Sequence, residues 1–359
     1  MKRLLLLCLF TINSYAVDEA VSNESSSPAS QKNFQVGVLY WSMNIPGQVA
    51  MKKGLEAQAD IINQAAEKDN LPKVNLVPYV AGDGEAGIDR QIQQMHELID
   101  KKVDIIIAQP TDNAALAKPL LAANKANIPV VAYDQYISRG QLAAYVTSNN
   151  YQAGFLNGEY MAAHFDDDYI IKLVLVEYPY VSSTVTRING FLDALDKYQQ
   201  SYEIIANYEA VEPVSGQKAG QQMLKDFPKK GDIDAVFTVN DGGGLNVVEE
   251  LAKAGREEIF VATIDGDPES VENIKNKRLT RIDSAQFCGP LGAEAMRLAY
   301  EILQGHPVPA HSEVPTFPIT QETLSTYPGW MGPIPNQFTK PWQSDDKTWF
   351  GVMNIVEEQ

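Results

Sequence analysis

Short apolar runs alternate along most of this chain with stretches in which apolar residues recur at helical spacing. Met51, Leu55, Ala59 and Ile62 illustrate the helical spacing, whereas unbroken apolar runs are typical of strands buried on both faces of a parallel sheet. The pattern predicts strands over residues 35–40, 75–80, 103–108, 130–133, 143–147, 171–176, 204–208, 235–239, 259–264 and 280–285. It predicts helices over residues 48–67, 88–101, 114–127, 151–165, 184–197, 215–227, 244–254, 270–276 and 290–303.

The strand–helix alternation occurs in two successive sets. Strands that alternate with helices of this length form right-handed βαβ units with a parallel sheet. A chain of 359 residues is long enough for two domains of ordinary size. We therefore expect an α/β fold with two similar lobes.

Three of the predicted strands stop at polar residues that can hydrogen-bond a hydroxyl or an amine. The segments are 130–135, 235–241 and 261–266, and their polar ends include Asp134, Asn240 and Asp265. In open α/β sheets, ligands bind just beyond the carboxyl ends of the strands. The spread of these segments along the chain predicts a pocket built by the whole fold.

Both ends of the chain differ from its middle. Residues 1–16 are typical of an export signal, with Lys2 and Arg3 before a short apolar stretch and small residues that predict cleavage near Ala16. Residues 17–32, rich in Ser, Glu and Asn, predict a flexible leader. Residues 316–359 form a tail with three of the four tryptophans and several prolines. Such a tail either packs across the lobes and pins them together or forms a partner-binding patch.

Charge and composition exclude several function classes. The formal net charge of −17 disfavours nucleic acid and anionic membranes as partners. The four histidines lie far apart, so we expect no metal site and no cofactor. After cleavage Cys288 is the remaining cysteine, which leaves no internal disulfide.

Two sequence motifs bear on catalysis. We interpret Gly242–Gly244 as a loop before a helix. The chain lacks a Gly-x-Ser-x-Gly motif, and we predict that it is not an enzyme.

Six segments, in this order and at this spacing, resemble the type I periplasmic binding proteins of the ribose, galactose and LacI-repressor group. They are Val36–Tyr40 with Asn44–Pro46, Asp104–Pro110, Ile128–Asp134, Arg187–Phe191, Ala235–Asp241 and Thr263–Gly266. The resemblance covers about residues 34–315 and implies two Rossmann-like lobes with parallel sheets, joined by a three-segment hinge near residues 147, 285 and 315. It implies an N-terminal lobe of residues 33–147 plus 286–315, a C-terminal lobe of residues 148–285, and a location in the periplasm.

The resemblance also implies which residues contact a ligand. Asp134, Arg187, Asn240, Asp265 and Gln286 match ligand-contact positions of the family. Carboxylates and a guanidinium form strong, directional hydrogen bonds with the hydroxyls of a sugar or polyol. The alternatives are helix caps for Asp134 and Asp265, a surface ion pair for Arg187, and a turn role for Asn240.

The chain departs from the ribose-type pattern at two places. Gln135 follows the first pocket aspartate where ribose-type proteins have an arginine, and Gly47-Gln48 replaces their aromatic residues. Trp41 is our first candidate for the missing aromatic wall, ahead of Tyr136, Tyr178 and Tyr180. The lost positive charge indicates a ligand that is larger than ribose or carries its own cation. The predicted ligand-binding residues are Trp41, Asp134, Gln135, Arg187, Asn240, Asp265 and Gln286.

Two functions use the closure of such lobes around a ligand. In the first, the closed protein delivers its small polar ligand to an ABC permease. In the second, it docks on the periplasmic domain of a sensor histidine kinase and reports the ligand. We take transport as the main prediction and sensing as the alternative.

Overall fold

The computed structural model describes residues 32–166 and 168–356. The predicted export signal and residues 17–31 of the predicted leader lie outside this range. The strands are β1 Phe34–Tyr40, β2 Val74–Val80, β3 Ile105–Ala108, β4 Val130–Tyr133, β5 Ala144–Ser148, β6 Ile171–Glu177, β7 Tyr202–Glu209, β8 Ala235–Thr238, β9 Phe260–Asp265, β10 Thr280–Ala285, β11 His311–Val314, β12 Phe317–Ile319, β13 Gln337–Thr339, β14 Thr348–Phe350 and β15 Asn354–Ile355.

The helices flank these strands in the alternation that the sequence predicts. They are α1 Pro46–Asp69, α2 Gly84–Asp100, α3 Ala117–Lys125, α4 Asn150–Ala162, α5 Ser182–Lys197, α6 Pro213–Asp226, α7 Asp241–Lys253, α8 Pro268–Lys275 and α9 Cys288–Leu303. Within the described residues, no helix is both long and apolar enough to cross a membrane.

The strands form two large sheets, one for each lobe. The first sheet has the order β15-β11-β5-β4-β3-β1-β2, and the second has the order β12-β10-β9-β8-β6-β7. Within these two sheets all neighbours pair in parallel except β11 with β15 and β10 with β12, which pair antiparallel. The strands β13 and β14 form a separate antiparallel pair. The predicted two-lobe α/β fold is confirmed, with one antiparallel strand at the edge of each sheet.

The chain passes between the two sheets after β5, after β10 and after β11, close to the three predicted crossings. The chain crosses between the sheets a fourth time after β12, because β12 lies in the second sheet and β15 in the first. We did not expect this return, since strands of two or three residues are too short to leave a periodic signal. The described part of the tail thus pairs with both sheets, as the packing alternative expects.

Close helix packing positions the second lobe's side of the cleft. Helices α4 and α5 approach each other at Gly154, where a Cβ atom would lie 1.9 Å from the carbonyl oxygen of Arg187. Only a glycine fits this contact. The packing therefore fixes the first turns of α5, which carry Arg187.

Our interpretation of Gly242–Gly244 as a loop is wrong, because these residues form the first turn of α7. The helix begins at Asp241 with Asn240 as its N-cap. A Cβ at Gly244 would lie 2.4 Å from the Thr238 hydroxyl, so the glycines let the helix start close against the sheet. Glycine has poor helix propensity, and here this close approach outweighs it.

Candidate functional site

The seven predicted residues line one cavity of about 30 Å³ between the lobes. Trp41, Asp134 and Gln135 follow strands of the first sheet, whereas Arg187, Asn240 and Asp265 belong to the second lobe. Gln286 lies where the chain leaves β10 for α9, a helix that packs on the first lobe. The remaining lining includes the apolar side chains of Ile45, Met51, Val181 and Val211.

Arg187 is the positive group of this cavity, and only 2% of its surface is exposed. Its Nη1 atom donates to Asp265 Oδ1 at 3.1 Å and to the carbonyl oxygen of Val239 at 2.7 Å, while Nε donates to Asn150 Oδ1 at 2.9 Å. The surface ion pair that we considered for Arg187 is therefore excluded. The guanidinium is held in one orientation at the wall of the cavity.

Asp265 ends β9 in an unusual backbone conformation, with a φ of 135°. Non-glycine residues rarely adopt this region, and such strain often occurs at functional sites. Its Oδ1 atom accepts from Gln286 Nε2 at 2.6 Å as well as from Arg187. Burial raises the pKa of Asp265 to about 6, although Arg187 opposes the shift. The cap alternative is wrong here, because Asp267 caps α8.

Asp134 faces the cavity from the first lobe, and it too has a positive φ, of 65°. Its Oδ2 atom accepts from Gln109 Nε2 at 2.9 Å, and burial raises its pKa. The strand β5 is the next element, so Asp134 caps no helix. In the described part of the chain, these bonds are accepted by Oδ2 of Asp134 and by Oδ1 of Asp265.

Asn240 combines a structural role with its place at the cavity. Its Oδ1 atom accepts from the backbone N–H of Gly243 at 3.1 Å, and its Nδ2 atom donates to the carbonyl oxygen of Val211 at 2.9 Å. The local role that we weighed for Asn240 is thus present, as an N-cap. Contact with a ligand stays a prediction for this residue.

The two glutamines link segments that meet at the cleft. Gln135 Oε1 accepts from the backbone N–H of Ser183 at 3.4 Å, which joins the two lobes. Gln286 Oε1 accepts from Ser148 Oγ at 2.7 Å, which joins two of the crossing segments. Each glutamine therefore joins two segments that are far apart in the sequence.

Trp41 is buried at the cavity and also lines a neighbouring cavity of about 500 Å³, together with Tyr178. Tyr136 and Tyr180 are exposed and do not line the smaller cavity. Trp41 is thus the aromatic residue among those that line the smaller cavity, and its contact with a ligand stays a prediction.

Sequence reasoning missed residues that support the site. Gln109 follows β3, orients Asp134 and accepts from the backbone N–H of Trp41 at 3.3 Å. Asn150 follows β5 and orients Arg187. The rule that polar residues at carboxyl ends of strands form the site would have found both residues.

Two buried carboxylates lie behind Asp265 and were also missed. Asp283 Oδ1 accepts from the backbone N–H of Gly266 at 2.9 Å, and Asp241 Oδ2 accepts from that of Asp267 at 2.7 Å. Burial raises the pKa of Asp283 to about 7 and that of Asp241 well above its ordinary value. These carboxylates hold the loop that follows the pocket strand β9.

Cys288 does not line the cavity. Cys288 is buried, and burial raises the pKa of its thiol well above its ordinary value, which makes it a poor nucleophile. The described residues contain no group of three or more His, Cys, Asp or Glu side chains that could hold a metal ion. The site therefore offers hydrogen bonds, one guanidinium and two carboxylates.

The periplasmic binding protein domain family matches residues 36–307. The chain belongs to this family. It is 28% identical over 312 residues to the ribose import binding protein of Bacillus subtilis, with 85% of this chain and 93% of that protein covered. It is 25% identical over 292 residues to the ribose import binding protein of Escherichia coli, with 81% and 92% covered.

Solved structures share the fold of this family member. A periplasmic solute-binding protein from Actinobacillus succinogenes with bound D-allose superposes with a TM-score of 0.69 at 22% identity, covering 82% of this chain and all of that one (100%). A solute-binding protein from Bacillus halodurans with bound myo-inositol gives a TM-score of 0.71 at 21% identity, covering 84% and 99%. The family match ends at residue 307, so the tail lies beyond it.

Proposed function

We propose that this protein is a periplasmic solute-binding protein that closes around a sugar or polyol and delivers it to an ABC permease. The main observation behind this proposal is that three buried charged side chains, those of Arg187, Asp134 and Asp265, line one cavity between the lobes. Each of these groups forms charge-assisted hydrogen bonds, which are about twice as strong as neutral ones. The chemistry supports a polar ligand with several hydroxyl groups, such as a sugar or polyol.

The position of the charges supports closure on binding. Asp134 belongs to the first lobe, whereas Arg187 and Asp265 belong to the second, so a ligand that contacts all three bridges the lobes. A ligand shifts an equilibrium only by its difference in affinity for the two states. A bridging ligand makes its full set of contacts only in the closed form and therefore favours that form.

The names of the relatives favour transport over sensing. The Bacillus subtilis and Escherichia coli relatives are both ribose import binding proteins. Because the chain lacks the ribose-type arginine at Gln135, we do not assign ribose as the ligand. The apolar stretch with two preceding basic residues at the N-terminus supports export to the periplasm, with cleavage near Ala16.

Calorimetry of residues 17–359 with D-ribose, D-allose and myo-inositol tests the proposal. We expect at least one of these to bind, and Asp265→Asn to weaken that binding about ten- to a hundredfold through loss of a charged acceptor. Asparagine tolerates a positive φ better than alanine, which keeps the backbone in place. The exposed Asp60→Asn is the matched control, and its affinity should equal that of the wild type.

Two results would count against the proposal. If none of the three compounds binds, the sugar or polyol assignment fails. If Asp265→Asn binds as tightly as the wild type, the cavity is not the binding site. Capture of the ligand-loaded protein with an ABC permease supports delivery, whereas capture with a sensor kinase supports the sensing alternative.

A further inference from the structure

The tail passes directly behind the cavity. Trp330 Nε1 donates to the carbonyl oxygen of Asp265 at 2.6 Å, and the carbonyl oxygen of Trp330 accepts from the backbone N–H of Gly289 at 3.0 Å. Gly289 lies in the first turn of α9, which packs on the first lobe. Trp330 is therefore anchored to both lobes close to the hinge.

The carbonyl group that Trp330 contacts belongs to the strained pocket residue. The φ of Asp265 is 135°, and its carbonyl oxygen also accepts from the backbone N–H of Gln286 at 3.0 Å. A residue stays in such a conformation only when its surroundings hold it there. Among the described residues, the indole N–H is one of two donors to this carbonyl oxygen, and the side chain of the same residue lines the cavity.

The ring of Trp330 also lies near Gly47 on the opposite wall. A Cβ atom added to Gly47 would lie 3.8 Å from Trp330 Cζ2, which is ordinary van der Waals contact. Gly47 lines the cavity from α1, and Asp265 lines it from β9. Trp330 does not line the cavity itself but bonds to Asp265, a lining residue of the second lobe.

We propose that Trp330 is a positioning residue for ligand binding, acting through Asp265. This inference rests on the proposed function, because it assigns Trp330 a role in the affinity of that same cavity. The residue lies in the tail, beyond the range that the family matches. The tail thus adds to this family member a support for the pocket carboxylate.

Trp330→Phe removes the indole N–H and keeps an aromatic ring. We expect it to weaken binding of whichever of D-ribose, D-allose or myo-inositol binds the wild type by about three- to tenfold, as for the loss of one hydrogen bond. The tail contains two matched controls. Trp342 Nε1 donates to Glu159 Oε2 at 3.0 Å, and Trp349 Nε1 donates to the carbonyl oxygen of Thr316 at 2.8 Å.

We expect Trp342→Phe and Trp349→Phe to lower the urea midpoint of unfolding but to keep the affinity within about twofold of the wild type. A purely structural role of the tail would weaken binding in all three variants alike, which would overturn the proposal. An affinity of Trp330→Phe within about twofold of the wild type would overturn it as well.

Hydrogen exchange provides a test without ligand. In Trp330→Phe, peptides that contain the Gln286 amide should exchange faster than in the wild type and in Trp342→Phe, because the Asp265 carbonyl that accepts from this amide is then held less firmly in place. Unchanged exchange there would refute the positioning role even if none of the three compounds binds. If the Gln286 amide exchanges faster but none of the three compounds binds, the proposal that Trp330 positions Asp265 is kept and the proposed ligand class is rejected.

Discussion

A buried ion pair attaches the tail to the second lobe, and its removal provides a strict test of the packing described above. Lys340 Nζ donates to both carboxylate oxygens of Glu159, at 3.0 and 2.8 Å. The two side chains are only 6% and 1% exposed. The change Lys340→Met keeps the length of the apolar stem and removes the charge.

The expected loss of stability follows from the partners that remain. Removing one member of a buried pair typically destabilises a protein by about 3–5 kcal/mol, because it leaves a buried charge without its counter-ion. Glu159 keeps three donors, at 2.6 Å from Ser344 Oγ, 2.8 Å from the Tyr198 hydroxyl and 3.0 Å from Trp342 Nε1. We therefore expect the lower end of that range, about 3 kcal/mol.

Urea unfolding, followed by tryptophan fluorescence, measures this loss. The double variant Glu159→Gln with Lys340→Met is the control, because it removes both charges and leaves neutral groups of similar size. We expect it to recover much of the lost stability, since an uncharged pair avoids the penalty of an unpaired buried charge. If Lys340→Met alone changes the free energy of unfolding by less than about 0.5 kcal/mol, the ion pair is not buried as described.

Two further predictions concern packing and pH. Gly154→Ala should destabilise the fold by about 1–3 kcal/mol in urea, because the added methyl group forces α4 away from the carbonyl of Arg187; an unchanged midpoint would contradict that close contact. The pKa of Asp283, about 7, lies above its ordinary value of 3.8, so the folded state binds the extra proton between about pH 4 and 7. That contribution therefore makes stability fall as pH rises through this window, and Asp283→Asn should reduce the difference in urea midpoint between pH 5 and pH 8. If the urea midpoint differs between pH 5 and pH 8 by the same amount in the variant and in the wild type, Asp283 is not the source of this pH dependence.

Individual residues show how far sequence reasoning reached at the site. Asp134 and Asp265 each come directly after an apolar run. A polar residue at the end of a buried strand can be recognised from the local sequence alone. Gln109 and Asn150 carry the same signal but act on another side chain, so their role depends on a partner distant in sequence. The assignment of these positions to a ligand stays a prediction.

The tail shows where local signals end. Its strands β12 and β15 contain two or three residues each, too few for periodicity, and their place depends on open edges of both sheets. The bond from Trp330 to Asp265 joins residues 65 positions apart, and the pair of Glu159 and Lys340 is separated by 181. The composition of the tail does not indicate which of its tryptophans contacts β9, the strand that ends at Asp265.

The sequence by itself determined the α/β class, the order of the elements and the strand ends whose polar residues line the cavity. Each of these depends on periodicity or on a residue's position within its own element, and both can be read locally. The tertiary structure alone decided that seven separate side chains share one cavity, that Gly242–Gly244 lie in the first turn of a helix, and that the tail bonds to Asp265. These features depend on contacts between distant segments, which exist only once the sheets have formed and the lobes have met.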